Sequence, residues 1–233
     1  YAGRYNAGWN VLRNERRAAA IAKGVMPVGV PTVTMNTSGD WSKLSAQQQR
    51  QRAGAMAAYA GMGTAMDREI GRLIAHLKAI GAYDNTIFVF LSDNGAEATD
   101  PMNMGAFTRW NANQEYDQSI AQQGRPGSLT AQGAGFASAS VSPLRGYKFT
   151  ASEGGLRVPM IMAWPGNPAI KGGSVAAGFA HGTDMPLTLL MLAGVAPQQG
   201  SFSGRRVEPM IGMDLSPMLT GAASSVHSPD KPL

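Results

Sequence analysis

Ser92-Asp93-Asn94-Gly95 follows directly on Thr86-Ile87-Phe88-Val89-Phe90-Leu91, a continuous apolar, β-branched and aromatic run. Asp93 brings a hard anionic oxygen and Asn94 a neutral amide oxygen, the donor types that Ca²⁺ and Mg²⁺ take. Gly95 lets the backbone turn sharply at that point. The alternative is a plain Asx turn leaving a strand. A second group is Arg145-Gly146-Tyr147-Lys148, followed by Glu153-Gly154-Gly155-Leu156-Arg157-Val158-Pro159. A lysine in a glycine-rich loop ahead of a strand can meet an anion, or it can simply stand in solvent. Glu153 has the type of an acid, base or ligand; the adjoining Gly154-Gly155 favours a structural role, bonding loop amides. The three histidines offer less. His76 falls on the wet side of a long helix, His181 in a glycine-flanked loop, and His227 in a solvated tail. No paired His and carboxylate motif supports Ser-His-Asp chemistry. The chain contains no cysteine, which excludes disulfides, Cys-based zinc or iron–sulfur sites and a thiol nucleophile within these residues.

These groups need elements to hold them. The run 86–91 predicts a strand buried on both faces, as in a parallel sheet; Val158–Trp164 predicts a second, with its proline near the start where it is tolerated. Ligands gather at the carboxyl ends of strands in open α/β sheets, which is where Asp93 and Asn94 stand. Residues 45–79 predict a long helix: Ser45 and Gln48 have capping-box spacing, and Met62, Met66, Ile70, Leu73, Ile74 and Leu77 recur at steps of three and four. Gly54, Gly61, Gly63 and Gly71 within it suggest close packing or a break near 61–63, and Gly81 a C-terminal cap. A shorter helix is expected over 7–22, and another from Asp184 through Leu192, ended by Gly194. Residues 24–42 and 95–143 read as loop, the latter long enough to be a functional region. The tail 197–233 is turn-rich, with one amphipathic segment at Met213–Leu219.

The 233 residues are 44% hydrophobic and 15% charged, ordinary for a globular chain. The net charge of +5 is concentrated at the start, where Arg4, Arg13, Arg16, Arg17 and Lys23 face only Glu15 within residues 1–23. That local basicity fits a solvated or subunit-facing helix better than a nucleic-acid patch. No run approaches the ~18 apolar residues needed to span a membrane.

Five segments taken in order resemble the type I sulfatases of the alkaline-phosphatase superfamily, and bacterial arylsulfatases in particular. Tyr5-Asn6-Ala7-Gly8-Trp9-Asn10-Val11-Leu12-Arg13 is similar to the family's YDAGWDxLR segment, with Asn6 and Asn10 where Asp is common. Ala58-Tyr59-Ala60-Gly61-Met62 through Met66-Asp67-Arg68-Glu69-Ile70-Gly71-Arg72-Leu73 resembles YAAMVxxMDxxIGRxI. Asp84-Asn85-Thr86 with Leu91-Ser92-Asp93-Asn94-Gly95 resembles DNT…SDNG. Lys148 with Glu153–Pro159 is similar to K…EGGxRVP. Asp184–Leu190 with Leu192-Ala193-Gly194-Val195 resembles DxxPTLLxLAGV, although Leu187 replaces the usual proline, Pro186 lies one residue earlier, and Thr188 is kept.

The resemblance implies an α/β fold, an alkaline-phosphatase-like core with a largely parallel sheet flanked by helices, present here only in part. It implies that residues 1–204 form the carboxyl-side part of the catalytic domain and residues 205–233 the start of a smaller region. Asp93 and Asn94 would be two ligands of one Ca²⁺, and Lys148 would contact the sulfate group of a small-molecule sulfate ester as a catalytic, substrate-binding residue. The nucleophile would be a formylglycine made from a C/S-x-P-x-R motif, which this chain lacks; on that resemblance it is expected to lie before Tyr1. The implied activity of the complete protein is hydrolysis of aryl sulfates. A phosphonate or phosphodiester hydrolase of the same superfamily is the alternative, and a catalytically inactive piece is a third reading. No nucleic acid partner is expected.

Overall fold

The reciprocal bonds of a capping box start the longest element: the Ser45 hydroxyl accepts from Gln48 N (3.3 Å) and the Gln48 side-chain oxygen accepts from Ser45 N (2.8 Å). The structure, a computed structural model, describes residues 1–33, 35–100, 113–198 and 200–228. It contains α1 (Trp9–Ala22), α2 (Ala46–Ala79), β1 (Phe88–Leu91), α3 (Gly133–Ser140), α4 (Glu153–Leu156), β2 (Met160–Ala163), α5 (Asp184–Leu192), β3 (Ser201–Phe202), β4 (Arg205–Arg206) and α6 (Ser216–Leu219). The chain forms two compact units, one of Tyr1–Ile80 and Val89–Ile161, the other of Gly81–Phe88 and Met162–Leu233.

Helix α2 runs unbroken through Gly61 and Gly63, so the expected break is absent. Nor do Gly61, Gly63 and Gly71 mark close packing: open space lies where a Cβ would point. A long cooperative ladder absorbs these weak positions. Gly54 differs, since a Cβ there would meet the Gln123 side chain. Gly81, at φ 72° just past Ile80, closes the helix as expected.

The core of the first unit is aromatic. Phe136 receives Tyr5, Trp9 and Trp41 edge-on, at centroid distances of 6.0, 5.7 and 5.8 Å, and Trp9 meets Trp41 at 4.9 Å. Edge-to-face pairs align the positive ring edge with the negative face, contributing ~0.5–1.5 kcal/mol each beyond burial. Met56, Ala53, Leu12 and Ala139 fill the remainder. Phe136 stands on α3, inside the stretch read as loop. Its helix is Gly-Ala-Gly-Phe-Ala-Ser-Ala-Ser, where small residues hide any apolar stripe. Smallness is what the packing needs, because a Cβ at Gly135 would enter the Trp9 ring. Arg13, read as part of a solvated basic helix, is instead buried; it donates to the carbonyls of Ser138 (3.1 Å) and Val33, and desolvation pulls its pKa below the usual arginine value.

The strands differ from expectation. β1 and β2 are neighbours in a two-stranded sheet, and β3 and β4 form a two-stranded antiparallel ribbon pairing Ser201 with Arg206 and Phe202 with Arg205. The described residues hold no larger sheet. Phe90, Leu91 and Ile161 are 47, 43 and 62% exposed. Phe90 and Leu91 point to opposite faces of the strand, so the run read as buried on both faces is exposed on both at its carboxyl end.

In the second unit, Asp84 carbonyl oxygen accepts from Trp164 Nε1 and Gly166 N, both at 3.1 Å. Helix α5 begins at Asp184, whose fully buried carboxylate accepts from His181 N (2.7 Å) and Met213 N (2.8 Å). Thr188, one turn on, accepts from Leu215 N (2.9 Å). These two side chains fix the segment leading into α6. His227, expected to be solvated, is nearly buried, with Nε2 2.7 Å from Asp184 Oδ2. Burial alone would raise the Asp184 pKa; the amides of Met213 and His181 and the His227 ring outweigh it and hold the carboxyl below its ordinary value.

Candidate functional site

β1 delivers the chain to Ser92, and the loop that follows is held by its own polar atoms. Ser92 Oγ donates to Asn94 O (2.9 Å), and Asn94 Nδ2 donates to Gly95 O (3.0 Å). That bond occupies the amide nitrogen and leaves Asn94 Oδ1 as an acceptor. Asp93 is exposed, and its carboxylate takes no hydrogen bond or ion pair among the described residues. An Asx turn would require that carboxylate to accept a backbone N–H two residues on, so the turn reading of Asp93 has no bond to rest on there.

The lysine loop is joined to this one by backbone. Gly95 N donates to Gly155 O (2.9 Å), and Lys148 N donates to Ala96 O (3.0 Å). The approach is so close that a Cβ on Gly95 would strike the Gly154 carbonyl. Gly154 and Gly155 pack as tightly, against the carbonyls of Gly146 and Thr150, which explains the paired glycines. Gly154 N donates to Arg145 O (2.7 Å) and Ser152 Oγ to the same carbonyl (2.8 Å). Asp93, Asn94 and Lys148, predicted from separate segments, thus sit on two loops hydrogen-bonded to each other. Glu153 does not bond the loop amides as expected: it is exposed and pairs with Arg157 just past the end of α4 (3.4 Å), while the carbonyls of Arg145 and Ser152 and the Thr150 hydroxyl accept from those amides.

Two neighbours of Lys148 escaped the sequence. Its Nζ lies 3.1 Å from Glu97 Oε2 and 5.2 Å from the centroid of the Phe149 ring. Phe149 is 82% exposed and adopts φ 71° at the third position of a turn closed by Thr150 N to Tyr147 O (3.1 Å). Positive φ at that position is normally left to glycine or asparagine. Glu97 Oε1 accepts from Thr99 N (2.7 Å), and its backbone carbonyl accepts from the buried Gln132 (3.3 Å), which itself accepts from Ser140 Oγ (2.8 Å). Partial burial would raise the Glu97 pKa, but the bonds from Thr99 and Lys148 outweigh it and keep the carboxyl ionised below its usual range.

Asp93 and Asn94 present two hard oxygens without protein donors, a pairing that fits Ca²⁺ or Mg²⁺ and not a soft metal. Among the described residues no group of three or more His, Asp or Glu could hold a metal, so these two oxygens could supply only part of a ligand set. His181 Nδ1 lies 2.9 Å from Thr183 Oγ1, a loop contact as expected, and His76 is exposed on α2. A cavity of about 420 Å³ against α1, lined by Arg13, Asn14, Val33, Ser38 and Asp40 among others, includes none of Asp93, Asn94 and Lys148.

The sulfatase family model matches residues 14–195. The chain is 34% identical over 209 residues to an uncharacterised sulfatase of Schizosaccharomyces pombe, covering 89% of this chain and 37% of that protein. It is 31% identical over 218 residues to the arylsulfatase of Klebsiella aerogenes, covering 93% of this chain and 46% of that one. An N-acetylgalactosamine-6-sulfatase of Canis lupus familiaris is 28% identical over 156 residues, 67% of this chain and 22% of its own length. The chain spans less than half the length of each of these relatives. The matched span takes in both loops of the site, and on these grounds the chain belongs to the sulfatase family, with the α/β fold that the family implies.

Proposed function

We propose that this chain supplies the cation-binding and sulfate-binding wall of a sulfuric ester hydrolase acting on aryl sulfates, R–O–SO₃⁻ + H₂O → R–OH + SO₄²⁻ + H⁺. The observation that supports the reading is the backbone pairing of the two loops, Gly95 to Gly155 and Lys148 to Ala96, which joins the loop that carries the oxygen donors to the loop that carries the ammonium. Asp93 and Asn94 would hold one Ca²⁺, which when bound polarises the ester and lowers the pKa of the attacking group. Lys148 would donate to the sulfuryl oxygens, where a hydrogen bond from a charged group contributes ~1.5–3 kcal/mol, and stabilise charge as the ester bond breaks. With no cysteine in the chain, a cysteine-derived formylglycine nucleophile would come from other residues of the full-length protein. In that protein β1 and β2 would belong to a larger, largely parallel sheet whose flanking helices cover Phe90, Leu91 and Ile161. Residues 1–204 would belong to the catalytic domain and residues 205–233 to the start of a smaller region.

Turnover of an aryl sulfate, a phosphonate monoester and a phosphodiester by one preparation of the full-length protein tests the reading. The sulfate ester is expected to give the highest kcat/KM. A preference for the diester or the phosphonate would assign the site to a sister hydrolase, since a fold does not fix its substrate.

A further inference from the structure

Lys148 does not present a bare positive charge. Glu97 Oε2 is 3.1 Å from its ammonium, and the carboxylate is not free to leave with it. One oxygen is tied to Thr99 N, and the residue's backbone is tied through Gln132 to Ser140 on α3. Glu97 therefore stays at the site when the lysine turns toward a substrate. Its effect depends on the charge of that substrate. An aryl sulfate carries one negative charge. An aryl phosphate, with a second pKa of about 6, carries two at pH 8. A lone ammonium attracts the dianion more strongly than the monoanion. A fixed carboxylate beside it repels the dianion more strongly in turn, and so cancels that advantage.

We propose that Glu97 is a specificity-determining residue that biases the Lys148 site toward monoanionic sulfate esters and against dianionic phosphate monoesters. The inference rests on the reading of Lys148 as the sulfate contact. Glu97 acts through charge at a few ångströms and takes no part in bond breaking.

The test uses the full-length protein at pH 8 and low salt, with p-nitrophenyl sulfate and p-nitrophenyl phosphate as substrates. Glu97→Gln keeps an oxygen for Thr99 N and removes only the charge. The ratio of kcat/KM for the sulfate to that for the phosphate is expected to fall about tenfold, the scale of one charge acting on another across a half-exposed site. Glu97→Asp keeps the charge and is expected to hold the ratio within about threefold of wild type, which a merely structural role for Glu97 would not require. Calorimetric binding of phenyl sulfate and phenyl phosphate, on protein whose nucleophile residue is left unmodified, is expected to show the same shift without turnover. Should Glu97→Gln fail to fold, Glu97→Ala at this 44% exposed side chain serves in its place. A ratio within twofold of wild type in either folded, charge-removing variant overturns the inference. Lys148→Ala separates the two levels. If it lowers aryl sulfate turnover while the Glu97 variants leave the ratio unchanged, the specificity role alone is wrong. If it leaves turnover unchanged, the sulfate contact and the inference built on it both fall.

Discussion

Asp93 and Asn94 project oxygens that no protein donor claims among the described residues, and that is what a hard cation needs from a loop. In the proposed cation site, removing the anionic member would remove the stronger of the two ligands, since charge count sets affinity at oxygen sites. Asp93→Ala in the full-length protein is therefore expected to weaken Ca²⁺ binding by at least about tenfold, the scale on which even outer-shell changes act. Calorimetric titration with Ca²⁺ measures this; an unchanged Kd would remove Asp93 from the ligand set. Gly95 makes a purely steric prediction. A methyl group there meets the Gly154 carbonyl, so Gly95→Ala should force the two loops apart at a cost of ~1–3 kcal/mol, read as a lowered urea midpoint. That Asp93, Asn94 and Lys148 stand on loops was legible in the sequence; the roles expected of them rest on the sulfatase resemblance and not on their types or positions. Glu97 was not legible, since nothing local marks a carboxylate as the partner of a lysine from a distant loop. Phe149 was missed for a similar reason: no rule of composition places an aromatic residue at positive φ.

Helix α2 shows what local sequence does encode. Its capping box, its length and its end at Gly81 follow from side-chain and backbone bonds within a few residues. A 34-residue helix is long enough to be partly stable alone, so a synthetic peptide spanning 44–81 provides a clean assay by circular dichroism. Ser45→Ala should lower its helicity by removing a cap contributing ~1 kcal/mol. Gly61→Ala should raise it, since open space surrounds that position and the exchange favours helix by ~1 kcal/mol. Equal helicity in all three peptides would contradict the account of how α2 is specified. α3 lay beyond such reasoning. Its eight residues are small except for Phe136, and the helix is fixed by tertiary packing on Trp9 and not by propensity. β1 was legible as a strand, but its burial was not, because the run of apolar residues reports what the strand is suited to and not which neighbours the described chain provides.

At the scale of the molecule, the second unit is organised by a single buried anion. Asp184 gathers His181, Met213 and His227 around one carboxylate, which a solvated reading of His227 could not foresee. Its folded pKa is depressed below the ordinary value, so its contribution is present in full above the unfolded pKa of ~3.9 and is lost as pH falls toward the lower folded value. Urea midpoints should therefore drop more steeply between pH 5 and pH 3 in the wild type than in Asp184→Asn; parallel declines would contradict that role. The first unit carries the claim about activity. It is tested most directly by steady-state hydrolysis of an aryl sulfate by the full-length protein and its Lys148→Ala variant at equal Ca²⁺ and equal thermal midpoint. In the variant kcat/KM is expected to fall roughly 10- to 100-fold, the equivalent of one charged hydrogen bond to the sulfuryl group. An unchanged kcat/KM would show that Lys148, although joined to the Asp93–Asn94 loop, does not meet the substrate.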